Sequence, residues 1–409
     1  SASALWTRDK KDITEDQYKE FYQHVGHAFD DPWMTIFNKV EGVLSYTNLL
    51  FIPSTRPWDL FQAERKNNLK LYVNRVFITD DCEELLPAYL RFVKGIVDSE
   101  DLSLNISREM LQQDPKLNKI RKAVVKRILN ELKKKSEKKP DEYKVFWNNF
   151  GAVIKEGLYD DYDNRDKILE ISRFHSTHND SVTSLSSYVE RMQEGQKTIY
   201  YITGDDKENV ERSPQLEGFR AKGIEVLLLT DPIDEFWMQG IGQFDSKEFK
   251  SATRAGSDLD DIKSSGDNKK SKNKKSQDKP MPGIDSLIAR MKVSLGDSIK
   301  DVRISSRLTD SAVCLVADEG DLDMHMERML KQHQQLDSAN LSRRILELNA
   351  NHSMIKALAK LAEKAKEGNP VIDSAGRLLL DQARILEGEP PKDPIAFTHQ
   401  MNELLLKTL

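Results

Sequence analysis

Residues 101–113, Asp-Leu-Ser-Leu-Asn-Ile-Ser-Arg-Glu-Met-Leu-Gln-Gln, form a sharp polar segment between two apolar-periodic stretches. Arg108 is the side chain best matched to phosphate oxygens, because a planar guanidinium presents paired N–H donors at fixed spacing. With Gln112 and Gln113 nearby, such a loop could reach an anion on a neighbouring domain. The plainer alternative is an internal Arg–Glu pair or a capping network, and the residues by themselves favour it. His24-Val-Gly-His27 and His175-Ser-Thr-His178 each set two imidazoles at i, i+3, which could ligate a metal on a helix face. No nearby cysteine completes either set, so surface histidines are the favoured reading and no metal is expected. The helix from Lys116 to Lys139 carries eleven Lys or Arg and could grip a phosphate backbone. Its regular apolar face and lack of interleaved aromatics favour a solvated face. No G-x-x-x-x-G-K-[ST], G-x-G-x-x-G or G-x-S-x-G pattern occurs, so the chain alone offers no complete active site.

The elements that must position these groups follow from composition and periodicity. With 409 residues, 38% of them hydrophobic, the chain can bury several cores, and its length suggests about three domains. No apolar run is long enough to span a membrane, and Cys82 and Cys314 are too few for a disulfide framework, which points to a reducing, cytoplasmic setting. A net charge of -5 has the wrong sign for a dedicated nucleic-acid binder. The missing initiator Met, with Trp6 close behind, suggests a piece of something longer.

Runs 40–53 and 68–78 are apolar on both pleat faces and predict inner strands. Helices are predicted over 15–25, over 83–97, and from Pro115, where Leu117, Ile120, Val124, Ile128 and Leu132 share one face behind an Asp114 cap. After a polar helical stretch at 140–173, the strand 198–203, helix 213–222 and strand 224–230 predict a βαβ unit with parallel strands.

Residues 254–279 are dominated by Ser, Asp, Asn and Lys and read as a mobile linker or exposed loop. Beyond it come an amphipathic helix at 284–295, short strands at 300–304 and 312–317, and helices. The expected fold is thus α/β and α+β multidomain. It comprises a large α/β subdomain (1–137), a helical connector (138–172), a small α/β subdomain (173–253), a linker (254–283), and an α+β C-terminal domain (284–409) with a helical end. Helices 371–386 and 394–407 carry Leu378, Leu379, Ile385, Leu386, Phe397, Met401, Leu404 and Leu405 at helical spacing. They form half of a four-helix bundle that a second copy could complete, and this pairing is favoured over packing on their own domain.

The segments 5–8 (LWTR), 49–61 (LLFIPSTRPWDLF), 69–95, 97–113 (VDSEDLSLNISREMLQQ) and 222–235 (KGIEVLLLTDPIDE) resemble the middle domain of the ninety-kilodalton heat-shock chaperone family. The C-terminal half is similar to the family's bacterial form. The resemblance covers nearly the whole chain but includes no N-terminal ATP-binding domain. It implies a homodimeric, ATP-driven chaperone of partly folded clients, with ATP and Mg expected in the full-length protein and no cofactor in this part. By motif, Arg108 would reach the γ-phosphate held by the missing domain, with Gln112 alongside and Asn105 helping to hold the loop. Trp6 and Pro57–Phe61, including Trp58, match an interdomain face and an exposed apolar patch. Phe236, Trp237, Met238 and Gln239 match a client-contacting region. Leu322, Met326, Met329 and Leu330, with Met324, would line an adaptable helix face for clients, where residue pattern alone reads as core.

Partners implied are a second copy, clients and the ATPase domain, with neither nucleic acid nor membrane. Ser103 stands where many relatives have proline, Trp58 where phenylalanine is common, and the lysine run at 269–275 is atypical of bacterial members. The ending Leu404-Leu-Leu-Lys-Thr-Leu409 is not an acidic Met-Glu-Glu-Val-Asp tail, so co-chaperones reading such a tail are not expected. The alternatives from other classes are a nucleic-acid scaffold using the lysine-rich helix and linker, and a pure dimerisation module.

Overall fold

The computed structural model describes residues 3–63, 69–254, 259–263, 281–336, 341–365 and 368–409. The chain divides into two compact units, Ser1–Arg173 with Gln239–Ile241, and Phe174–Met238 with Gly242–Leu409. Strands and helices mix in both, as an α/β and α+β multidomain chain requires.

In the first unit, α1 (Glu15–Val25) precedes β1 (Pro32–Val40), β2 (Tyr46–Pro53), β3 (Leu69–Val73), β4 (Val76–Thr79) and β5 (Lys94–Ser99). Then come α2 (Arg108–Gln113), α3 (Pro115–Lys138), α4 (Pro140–Asp160) and α5 (Arg165–Ile171). The sheet order is β1-β2-β5-β3-β4, with β3 and β5 parallel and the other pairs antiparallel. Alternation along β2 sends Leu49 and Phe51 into one cluster with Tyr22 and Val25 of α1, while Leu50 and Ile52 are buried on the other face. On α4, Phe146 stacks on Trp33 and Phe150 on Phe92. Each such large side chain taken from water contributes about 1.5–3 kcal/mol.

α3 starts where its sequence says. Asp114 Oδ1 accepts from the N–H groups of Lys116 and Leu117, Pro115 occupies the first turn, and Leu117, Ile120, Val124, Ile128 and Leu132 are buried.

Three strand and helix expectations need correction. Residues 83–97 form no α-helix: a short 3-10 turn at Ala88–Leu90 leads into β5, the sheet's central strand. Leu85, Leu86, Tyr89, Leu90, Phe92, Val93, Ile96 and Val97 are buried on every side, which an amphipathic helix cannot achieve. Gly95, at φ +134°, passes so close to Leu49 that a Cβ there would overlap its carbonyl oxygen. The run 68–78 is a hairpin rather than one inner strand, since Asn74 and Arg75 both take positive φ and turn the chain into β4, an edge strand with Val76 and Phe77 half exposed. The run 40–53 is not one strand: Val40 ends β1, a turn follows, and β2 begins at Tyr46 and pairs antiparallel with β1.

The second unit contains β6 (His175–Ser176), α6 (Leu185–Glu190), β7 (Thr198–Thr203), α7 (Lys207–Glu211), α8 (Glu217–Ala221), β8 (Val226–Leu229) and α9 (Asp234–Gly240), whose last residues group with the first unit. β9 (Gln243–Phe244) and β10 (Lys247–Ser251) complete a sheet ordered β6-β8-β7-β10-β9, in which β7 and β8 pair in parallel as the βαβ pattern predicts.

The C-terminal part holds α10 (Ile284–Leu295), β11 (Asp301–Ile304), β12 (Val313–Val316), α11 (Met324–Gln332), β13 (Ile345–Leu348), α12 (Ser353–Lys364), α13 (Pro370–Leu386) and α14 (Pro394–Thr408). β13, absent from the sequence reading, lies between β11 and β12. Leu287, Met291, Leu346, Leu348, Ile355 and Leu379 share one core over this sheet.

Among the described residues of the expected linker, those at its N-terminal side are packed. Leu259 and Ile262 are buried in the core around Tyr200 and Phe219, and Lys222 Nζ donates to their carbonyls. Arg254 donates to the carbonyls of Asp318, Glu319 and Asp321. The lysine run at 269–275 lies outside the described residues.

Candidate functional site

The loop after β5 is built by short local hydrogen bonds. Ser99 Oγ accepts from the N–H groups of Asp101 and Leu102, and the Asp101 carboxylate accepts from the N–H of Ser45. Leu102 is buried and pins the loop to the core, while Lys116 Nζ donates to the Asp101 carbonyl. Ser103 Oγ accepts from Asn105 N–H at 3.3 Å, so the serine supplies a turn contact of its own. Ser107 then caps α2, accepting from Met110 N–H, and buried Leu111 anchors that short helix.

This frame displays Arg108, Asn105 and Gln112 at the surface, with Arg108 and Gln112 one helical turn apart. The Arg108 side chain is 65% exposed, and its guanidinium meets Asp81 Oδ2 at 3.2 Å. Its ion-pair partner is therefore a carboxylate remote in sequence and not Glu109. The Asn105 side chain is exposed, and the bonds that hold the loop come from Ser99, Asp101, Ser103 and Ser107. Asp81 escaped the sequence reading, since it stands in an undistinguished acidic run.

Trp6 lies inside its own unit: it is 7% exposed and its indole N–H donates to Asp98 Oδ2 at 2.8 Å, which removes it from any open face. Trp58 is 86% exposed, and half-exposed Phe61 nearby carries the guanidinium groups of Arg56 and Arg91 over its ring. On α9, Phe236 and Gln239 are exposed, but Trp237 is fully buried with its indole N–H bonded to Asp234, and Met238 is buried too. The helix pitch turns these two inward, so Trp237 and Met238 are core residues here.

The expected methionine face also needs correction. Leu322 is exposed but precedes α11, Met324 and Met326 are buried, and Met329 and Leu330 are half-buried. Between Met324 and Met326, the better-connected residue of α11 is His325. His325 Nδ1 lies 2.6 Å from Glu235 and Nε2 3.0 Å from Asp205, whose other oxygen meets Arg328. Burial opposes charge on the imidazole, but the bonds to Glu235 and Asp205 outweigh it and raise its pKa.

The histidine pairs do not present helical i, i+3 faces. Gly26 ends α1 before His27, and His175 sits on β6. Among the described residues no group of three His, Cys, Asp or Glu could hold a metal ion. On α3, Arg127, Lys133, Lys134 and Lys135 pair with Glu131, Glu170 and Glu142, which compensates part of its basic charge. No helix among the described residues is long and apolar enough to cross a membrane.

Residues 1–409 match the family model described as Hsp90 protein. The chain belongs to the Hsp90 family. It is 55% identical over 409 residues to the chaperone protein HtpG of Paramagnetospirillum magneticum, covering 100% of this chain and 65% of that protein. HtpG of Roseobacter denitrificans is 54% identical over 406 residues, covering 99% and 64%, and that of Rhodospirillum rubrum 49% over 408 residues, covering 100% and 64%. This Hsp90-family chain therefore spans 64–65% of the length of these curated relatives.

In the terminal helices of this Hsp90-family chain, Leu378 and Leu379 are buried within the single chain, Leu379 in the C-terminal core. They are thus occupied in one copy, unlike Ile385, Leu386, Leu404 and Leu405, which are 44–56% exposed. Phe397 and Met401 are half-buried, and α14 buries no residue completely.

Proposed function

We propose that this chain forms the middle and C-terminal parts of an ATP-driven, homodimeric cytoplasmic chaperone of partly folded proteins. In this reading it hydrolyses no ATP by itself. It lends Arg108, with Gln112 beside it, to a nucleotide held by a separate ATP-binding domain, which would also bring Mg. The carrying observation is the placement of Arg108: an exposed guanidinium on a capped, core-anchored turn, touching one surface carboxylate. Charge spread over a transferring phosphoryl group is stabilised by a preorganised cation, and a cation from another domain makes turnover wait for closure. Exposed Trp58, Phe61 and Phe236 supply apolar surface for clients, and the exposed leucines of α13 and α14 supply the face for a second copy. The test is Arg108→Ala in the full-length protein: ATP turnover falls about tenfold or more, and wild-type turnover removes Arg108 from this role. Protection of an unfolding protein from aggregation separates this reading from a pure dimerisation module.

A further inference from the structure

We infer that Asp81 is a positioning residue that parks the Arg108 guanidinium in an idle station, so that the carboxylate competes with phosphate for the same cationic group; this rests on the reading of Arg108 given above. Both ends of the pair are fixed through their backbones. Asp81 N–H donates to Thr79 Oγ1 at 3.1 Å, and the following turn is anchored by buried Cys82, Leu85 and Leu86, with Leu85 N–H donating to the Cys82 carbonyl. At the other end, the Ser107 cap and buried Leu111 fix α2 beneath Arg108. Holding the pair therefore costs mainly side-chain freedom, and breaking it needs no movement of the main chain.

The ion pair is also placed to be released. At 3.2 Å it is a single contact, with 65% of the arginine side chain and 28% of the aspartate exposed, so water and salt weaken it. Gln112, on the same side of α2, is exposed as well. An interaction made in the resting state and absent from the transition state raises the barrier by its own strength. For an exposed pair that strength corresponds to a rate factor of up to about fivefold.

Asp81→Asn in the full-length protein keeps the side-chain shape and removes the competing charge. Its ATP turnover should exceed wild type by up to about fivefold, with the ratio falling toward one as salt rises from about 0.05 M to about 0.5 M, because screening frees the wild-type arginine. A merely structural role would lower turnover and melting temperature together, without that convergence. The double variant with Arg108→Ala should turn over like Arg108→Ala alone, since the two substitutions act on one contact. Asp81→Ser provides the same reading if the asparagine variant melts early. Turnover at or below wild type in folded Asp81 variants, while Arg108→Ala is impaired, overturns the parking role alone. An Arg108→Ala protein as active as wild type overturns the Arg108 reading and the parking role with it.

Discussion

Ser311 Oγ donates to Glu217 Oε1 at 2.5 Å, and the N–H groups of Thr309, Asp310 and Ser311 converge on the same carboxylate. One side chain on α8 thereby organises the turn that leads into β12. Burial would push this carboxyl up, but the bonds from the Ser311 hydroxyl and the three N–H groups outweigh it and hold the pKa below the usual carboxylate range.

A carboxyl depressed in the folded state stabilises the fold above its unfolded pKa of about 4.3 and loses that contribution as pH falls through the folded value. Glu217→Gln should therefore cost about 1–3 kcal/mol at pH 7, with the difference from wild type shrinking in acid. Urea unfolding of both proteins at several pH values checks this; an equal deficit at every pH contradicts it.

The sign reverses at His325. Glu235 and Asp205 face the imidazole and raise its pKa, with Arg328 opposing them, so its contribution is full below about pH 6.5 and fades as pH rises through the folded value. His325→Gln should flatten that part of the dependence of melting temperature on pH. A variant whose profile parallels wild type between pH 6 and pH 8 would show that the histidine does not set it.

Trp6→Phe removes the donor to Asp98 Oδ2 and leaves a 7% exposed carboxylate with the Arg75 N–H on its other oxygen. A loss of about 1–3 kcal/mol in the first unit is expected from denaturant unfolding. A wild-type midpoint would mean that the bond is replaced by water.

Replacing Leu404 and Leu405 by Glu places charge on the exposed face of α14, where both side chains are about half exposed in the single chain. Sedimentation should show a dimer becoming a monomer whose melting temperature no longer depends on protein concentration. A wild-type mass distribution would place the self-association surface elsewhere.

What the sequence disclosed depended on how many sides an element buries. α1, α3 and α10 each leave a solvent face, so a helix is legible at each, and Asp114 marks the start of α3. Residues 83–97 are apolar all round, which hides period, and only Pro87 and Gly95 argued against a helix. β13 was masked by Glu347, a charge in a central strand that is buried because Arg303 and Arg307 pair with it. At the site, Arg108 stood out by residue type and resemblance. Its partner Asp81 could not, because the pair is made by tertiary folding. The client-contact roles of Trp237 and Met326 come from the resemblance alone; both are buried, and for Met326 the residue pattern by itself already reads as core.

Single-turnover ATP hydrolysis by the full-length protein, with Arg108→Ala beside wild type, tests the central claim most directly. The account predicts a rate constant lower by about tenfold or more, with nucleotide affinity and dimer mass unchanged. An equal rate constant would contradict it.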